Sequence, residues 1–318
     1  RSSSMVTVRA DLEASLARLR AECDDPRAGI HGPGSAAWHL ERDAVIFMGG
    51  GRAVLMQLAH PFVAYAIKQH SKTVEDVMGR FRRTFDNVFA MSFGDLEHAF
   101  TAARRVHNIH TRITGTIDED AGAFPRGTTY HANDPESQLW VYATLIDTVV
   151  AVNERVKGPL SPALKEAYYR DSWSFARLFA IPDRLLPPSW GAFRAYVDRM
   201  VASNVLTVTA PAREMGGFLF GGALGGPTAA VTASLLPRRL RNDFGLAYGA
   251  RERVMARGML TAARAATMLT PQAARDLPAF HDARRRIRGL PPSKWSRWVD
   301  ERMQALAAQV SGPPTRAR

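Results

Sequence analysis

Apolar residues recur at three- and four-residue spacing along nearly the whole chain, while runs of alternating β-branched residues are almost absent. That pattern predicts an all-α protein. Asp134-Pro135, Ser161-Pro162 and Thr270-Pro271 each place a capping side chain ahead of a proline, which suits a first helical turn because its amide is unneeded there. They start helices near 135–157, 162–180 and 271–277. Gly158-Pro159 and Pro187-Pro188 stop the helices before them. Further helices are predicted near 6–23, 51–69, 74–91, 95–114, 189–207, 237–247, 250–269, 278–287 and 292–310. The long loop over 115–134 carries Gly115, Gly122, Pro125 and Gly127, and Thr128 to His131 is the best place in it for a short extended piece.

No repeat, low-complexity block or interdomain linker interrupts this pattern. One large helical domain over 29–311 is predicted. Residues 1–28 read as a tag remnant ahead of Met5 followed by a peripheral helix, and 312–318 as a disordered tail. The most lipid-like stretch, Gly216 to Leu236, is uncharged but holds six glycines and Pro227. A broken pair of buried helices fits it better than a membrane span.

Composition narrows the chemistry. The 318 residues are 46% hydrophobic, ample for a core. The single cysteine, Cys23, supports neither an intramolecular disulfide nor a multi-thiolate metal site, in keeping with a reducing cytoplasm. The net charge is +12. Its positive runs, such as Arg284 to Arg286, are scattered and lack interleaved aromatics or DNA-reading punctuation, so no nucleic-acid partner is expected. There is no phosphate-binding loop and no Gly-x-Ser-x-Gly elbow.

Three places carry candidate chemistry. Gly49-Gly50-Gly51-Arg52 opens an apolar stretch that ends in His60-Pro61; the glycines suit close approach to something flat or to another backbone. His60 is a ligand, a pocket hydrogen-bonder or a core histidine. Arg80, Arg83 and Thr84 share one helix face by their spacing, forming either a site for an anion or polarised oxygen species or a solvated basic stripe. His107 and His110 lie three apart among Val106, Ile109 and Ile113. One inward histidine suffices to ligate haem iron, and the pair could instead bind another metal directly.

Taken together, Gly-Gly-Gly-Arg-Ala-x-Leu-x-Gln-x-Ala-His-Pro over 49–61, Arg-x-x-Arg-Thr over 80–84, Ile-His-x-x-Ile-x-Gly over 109–115 and Tyr-x-Ala-Asn-Asp-Pro-x-x-x-x-Trp-Val over 130–141 resemble the MpaB-like oxygenase family, which includes the latex-clearing rubber oxygenases. The resemblance implies a globin-like core holding haem b, with His110 as the proximal iron ligand and Arg80 and Thr84 on the distal side. His60 remains a pocket candidate and His107 a supporting or surface residue.

Arg83 stands where the rubber oxygenases have lysine. Arginine keeps its charge, so Arg83 is expected to donate hydrogen bonds to bound oxygen or a propionate rather than to ligate iron. No Asp or Glu occurs from Ala44 to Val74, where the rubber enzymes carry a proposed base. Polyisoprene is therefore not the expected substrate. The implied reaction is haem-dependent oxygenation of an apolar small molecule, unsaturated or isoprenoid-like, with dioxygen and an unidentified electron donor. Transient membrane contact is compatible with such a substrate. A haem-binding sensor or carrier, and a non-haem metal enzyme using His107 and His110, are the alternatives.

Overall fold

The computed structural model describes residues 6–71, 84, 86–220 and 225–291. They form an all-helical protein with one small β-hairpin. Its centre is α7 (Pro135–Lys157), which packs against α2 (Ala36–Glu41), α3 (Gly50–Leu58), α8 (Pro162–Leu178) and α13 (Ala250–Leu269). Trp140, Tyr142, Ala143, Ile146 and Val150 are buried within it, together with Asp147 and Asn153. A helix covered on several sides needs apolar residues around most of its circumference.

Asp134 and Ser161 cap as their sequence indicates, whereas Thr270 ends α13 and α14 (Gln272–Arg275) begins after Pro271 without a side-chain cap. The side chain of Asp134 accepts from the Ser137 amide at the start of α7, and Gly158 ends the helix at φ 103°. Ser161 and Ser189 cap α8 and α9 (Trp190–Ala202) in the same way. The predicted bounds of α7, α13 and α15 (Pro278–Ile287) coincide with those observed.

The predicted helix over 51–69 is instead two, α3 and α4 (Pro61–Gln69). Pro61 disfavours helical geometry in the residue before it, and His60 lies at φ −84°, ψ 119°. The ring then serves α4 as a cap, its Nδ1 accepting from the Phe62 amide at 3.2 Å. Gly216 to Leu236 divides between α10 (Ala210–Leu219) and α11 (Gly225–Leu235), in line with the expected broken pair. Among the described residues no helix is long and apolar enough to cross a membrane. The predicted helix over 292–310 lies outside the described residues.

The extended piece expected near 128–131 is β2 (Thr129–His131), paired antiparallel with β1 (Thr114–Thr116) so that Thr114 faces His131. This hairpin covers a small apolar cluster of Tyr65, Ile113, Ile117, Phe124 and Tyr130. A separate aromatic cluster joins Trp38 and Phe93 to Phe280 on α15, with ring centroids 5.3 to 5.9 Å apart. It fastens the C-terminal helices over α2 and the helix over 86–93, here α5.

Candidate functional site

His110 is the last residue of α6 (Leu96–His110), which Asp95 caps at its start. It is half-buried and its Nδ1 is shielded from solvent. Ile113, one turn on, is buried, whereas Ile109 is half exposed. His107 is buried rather than superficial. Burial lowers its pKa, and the Arg9 guanidinium and His131 act in the same direction, so the ring is held neutral.

Asn133, at the end of the hairpin, ties this turn to α7. Its Nδ2 donates to the His107 carbonyl at 3.3 Å, and its amide donates to His131 Nδ1 at 2.9 Å. Its Oδ1 accepts from Gln138 Nε2 on α7 at 3.2 Å. Asn133 stood in a quoted motif, but only the fold makes it the bracket that positions the His107–His110 turn.

His60 is buried and packs against Phe62 and Phe124 at centroid distances of 5.2 and 5.6 Å. Since Nδ1 accepts a hydrogen bond, Nε2 bears the proton in this tautomer. His60 thus caps α4 within the Phe62–Phe124 cluster and does not line the pocket beside Glu41. Arg80 and Arg83 lie outside the described residues. Thr84 is exposed on the helical backbone one turn ahead of Val88 on α5, so Thr84, Val88 and Ser92 fall on one face at four-residue intervals.

Val88 and Ser92 line an apolar pocket whose void, counted with its open mouth, is about 660 Å³. Its walls include Ile46, Phe47, Phe89, Leu145 and Phe175, and Gly50 and Ala53 of α3 form part of it. Phe47, half exposed, meets Phe89 edge to face at 5.7 Å.

Glu41 at the end of α2 is the only carboxylate among the described residues that line the pocket. Tyr168 Oη donates to its Oε1 at 3.0 Å, and Ser92 also hydrogen-bonds it. Burial pushes the carboxyl up to about 7, with Asp171 adding to the shift, while the two hydroxyls oppose it. Glu41 is partly reachable through the pocket yet sits deep among protein atoms, and the second fact governs its ionisation. Nothing in the local sequence marks it: it ends the short apolar run Ala36-Ala37-Trp38-His39-Leu40, and its partner Tyr168 is 127 residues away.

The glycines of 49–51 serve helix packing. A Cβ on Gly49 would collide with Thr148 Cγ2 and come within 2.7 Å of Val152 Cγ2 on α7. A Cβ on Gly51 would strike Thr232 Oγ1 of α11 and lie 3.1 Å from Phe220. The close approach expected at these glycines is to neighbouring side chains.

Among the described residues no group of three or more His, Cys, Asp or Glu side chains is placed to hold a metal ion. A bare catalytic zinc needs about three protein ligands, whereas haem iron needs as little as one axial histidine and an apolar cavity. The donors in this turn are His110 with His107 one turn before it, and neither lines the apolar pocket beside Glu41.

Residues 37–265 match the family described as ER-bound oxygenase mpaB/B'/Rubber oxygenase, catalytic domain. Uncharacterized proteins from Mycobacterium bovis and Mycobacterium tuberculosis are each 28% identical to the chain over 165 residues, covering 51% of this chain and 61% of the relative. The chain thus spans about three fifths of the length of these curated relatives. No solved structure matches it.

Proposed function

The chain belongs to the mpaB and rubber oxygenase catalytic-domain family, and from that premise we propose that it is a haem b-dependent oxygenase acting with dioxygen on an apolar small molecule, with His110 as the axial ligand. The observation that carries this reading is the continuity of one α5 face. Thr84 stands one turn ahead of Val88 and two ahead of Ser92, both of which line the apolar pocket. In the sequence Arg80 stands four residues ahead of Thr84. Polar donors at one end of a face and a dry pocket at the other are what an enzyme needs to steady charge on oxygen beside an apolar substrate.

Haem b, when bound, supplies dioxygen binding and redox chemistry at its iron. The residues around it orient and protect. Burial keeps His107 neutral, so no extra positive charge lies next to the ligand histidine. Asn133 fixes the turn that presents His110. Arg80, Arg83 and Thr84 would donate hydrogen bonds to oxygen bound there, and His60 would offer a ring N–H. Phe47, Phe89 and Phe175 exclude water from the substrate's volume. An external electron donor is needed only if one of the two oxygen atoms is reduced to water.

The test is an absorption spectrum and pyridine haemochrome assay of protein expressed with haem precursor, beside His110→Ala. Near-stoichiometric b-type haem, lost in the variant with circular dichroism unchanged, is the expected result. A colourless protein that fails to take up haemin overturns the haem assignment, and full haem occupancy in His110→Ala overturns the ligand. Turnover of unsaturated candidates with reductant separates an oxygenase from a carrier.

A further inference from the structure

The pocket beside Glu41 has a polarity that an oxygenase of plain hydrocarbons does not require. Its walls are aromatic and aliphatic, and among the described residues no Lys, Arg or His lines it. Its polar groups are concentrated around Glu41: Tyr168 reaches the carboxyl from α8 and Ser92 from α5. Thr148, the remaining hydroxyl, is turned to accept from Arg52 Nη1 at 2.5 Å.

We propose that this pocket binds an apolar molecule through one uncharged oxygen function, a ketone, aldehyde or alcohol, hydrogen-bonded to Glu41. This rests on the oxygenase reading for the ligand's role as substrate, but the binding itself needs only the pocket.

The direction of the hydrogen bonds leads to that class. Tyr168 and Ser92 both donate to the carboxyl, so the proton of a neutral Glu41 is left for the ligand, and a ligand oxygen with lone pairs is its natural acceptor. The surroundings favour the neutral acid. Burial is the largest influence, Asp171 on α8 adds repulsion, and Tyr168 and Tyr142 are themselves held protonated by burial. Tyr142 on α7 is already engaged, 2.6 Å from Ser172 Oγ. A carboxylate ligand would place an anion beside Glu41 in an apolar cavity, and desolvation opposes that. A hydrocarbon with no oxygen would leave the acid proton unsatisfied.

Isothermal titration calorimetry at about pH 5.5, where Glu41 is protonated, with decan-2-one, decan-1-ol, decane and decanoate tests the assignment on both colourless and haem-loaded protein. The wild type is expected to bind the ketone and the alcohol roughly tenfold or more tighter than decane or decanoate, the value of about one well-placed hydrogen bond. Glu41→Gln, which retains a donor, should keep the preference for the ketone. Glu41→Leu should bind decane as well as the wild type does and lose the preference.

Equal affinity for decane and decan-2-one in the wild type, an unchanged ratio in Glu41→Leu, or no binding of any of the four overturns the proposal. The outcome is separable from the haem assignment. A missing Soret band removes that assignment and leaves the ligand series intact, whereas a haem-replete protein that ignores head-group chemistry refutes the pocket alone.

Discussion

The guanidinium of Arg52 on α3 closes on the carboxylate of Asp147 on α7, with both side chains almost wholly buried. Arg52 Nε also donates to the Leu235 carbonyl at 3.0 Å, so one side chain joins α3, α7 and the end of α11. Asp147 takes a second guanidinium, that of Arg194 from α9, on its other oxygen. The arginine of the Gly-Gly-Gly-Arg motif is thus a structural bolt.

Removing one partner of a buried pair costs about 3–5 kcal/mol where the other charge is left alone. Arg194 still neutralises Asp147 in Arg52→Met, so that variant is expected to lose less than this in urea denaturation. Replacing Arg52 and Asp147 together with Met and Leu should cost clearly less than the sum of the single changes. Strict additivity in the double-mutant cycle would show the pair to be uncoupled.

Gly49 tests the packing of the same three elements. Gly49→Ala puts a methyl group against Thr148 Cγ2 and Val152 Cγ2, and overpacking of this kind costs about 1–3 kcal/mol. Thr148→Ser removes the obstructing methyl while keeping the hydroxyl that accepts from Arg52, so the double variant should recover part of the loss. Thermal unfolding of the three variants measures it.

His60 caps α4 through Nδ1. Asparagine is a good capping residue and alanine a poor one, so His60→Ala should be about 1 kcal/mol less stable than His60→Asn. Equal denaturation midpoints for the two would mean that the cap contributes nothing to stability.

Glu41 gives stability a pH dependence of definite sign. A carboxyl held at about 7 when folded and near 4.5 when unfolded binds more protons in the folded state between those values. Its contribution is therefore full below about 4.5, falls as pH rises, and is lost above about 7. Glu41→Gln does not ionise, so its stability relative to the wild type should climb across that window and level off above it. Urea midpoints for both proteins from acid to mild alkali decide the matter; parallel profiles would mean that Glu41 ionises normally.

The sequence by itself determined the helical class and many helix ends. Asp134 and Pro135 fix the start of α7, and Gly158 its end, because caps and breakers act within a few residues along the backbone. The family motifs and the His107–His110 turn were legible for the same reason. Pro61 was legible too, but the apolar pattern running across it concealed the break between α3 and α4.

Only the tertiary structure decided which polar groups became buried partners. Arg52 and Asp147 are 95 residues apart, and Glu41 and Tyr168 are 127 apart. No local spacing predicts such meetings. Where an acid lies in the fold sets how far it is desolvated and which hydroxyls reach it, and those two quantities, rather than its neighbours in the chain, separate Glu41 in the pocket from an ordinary surface glutamate.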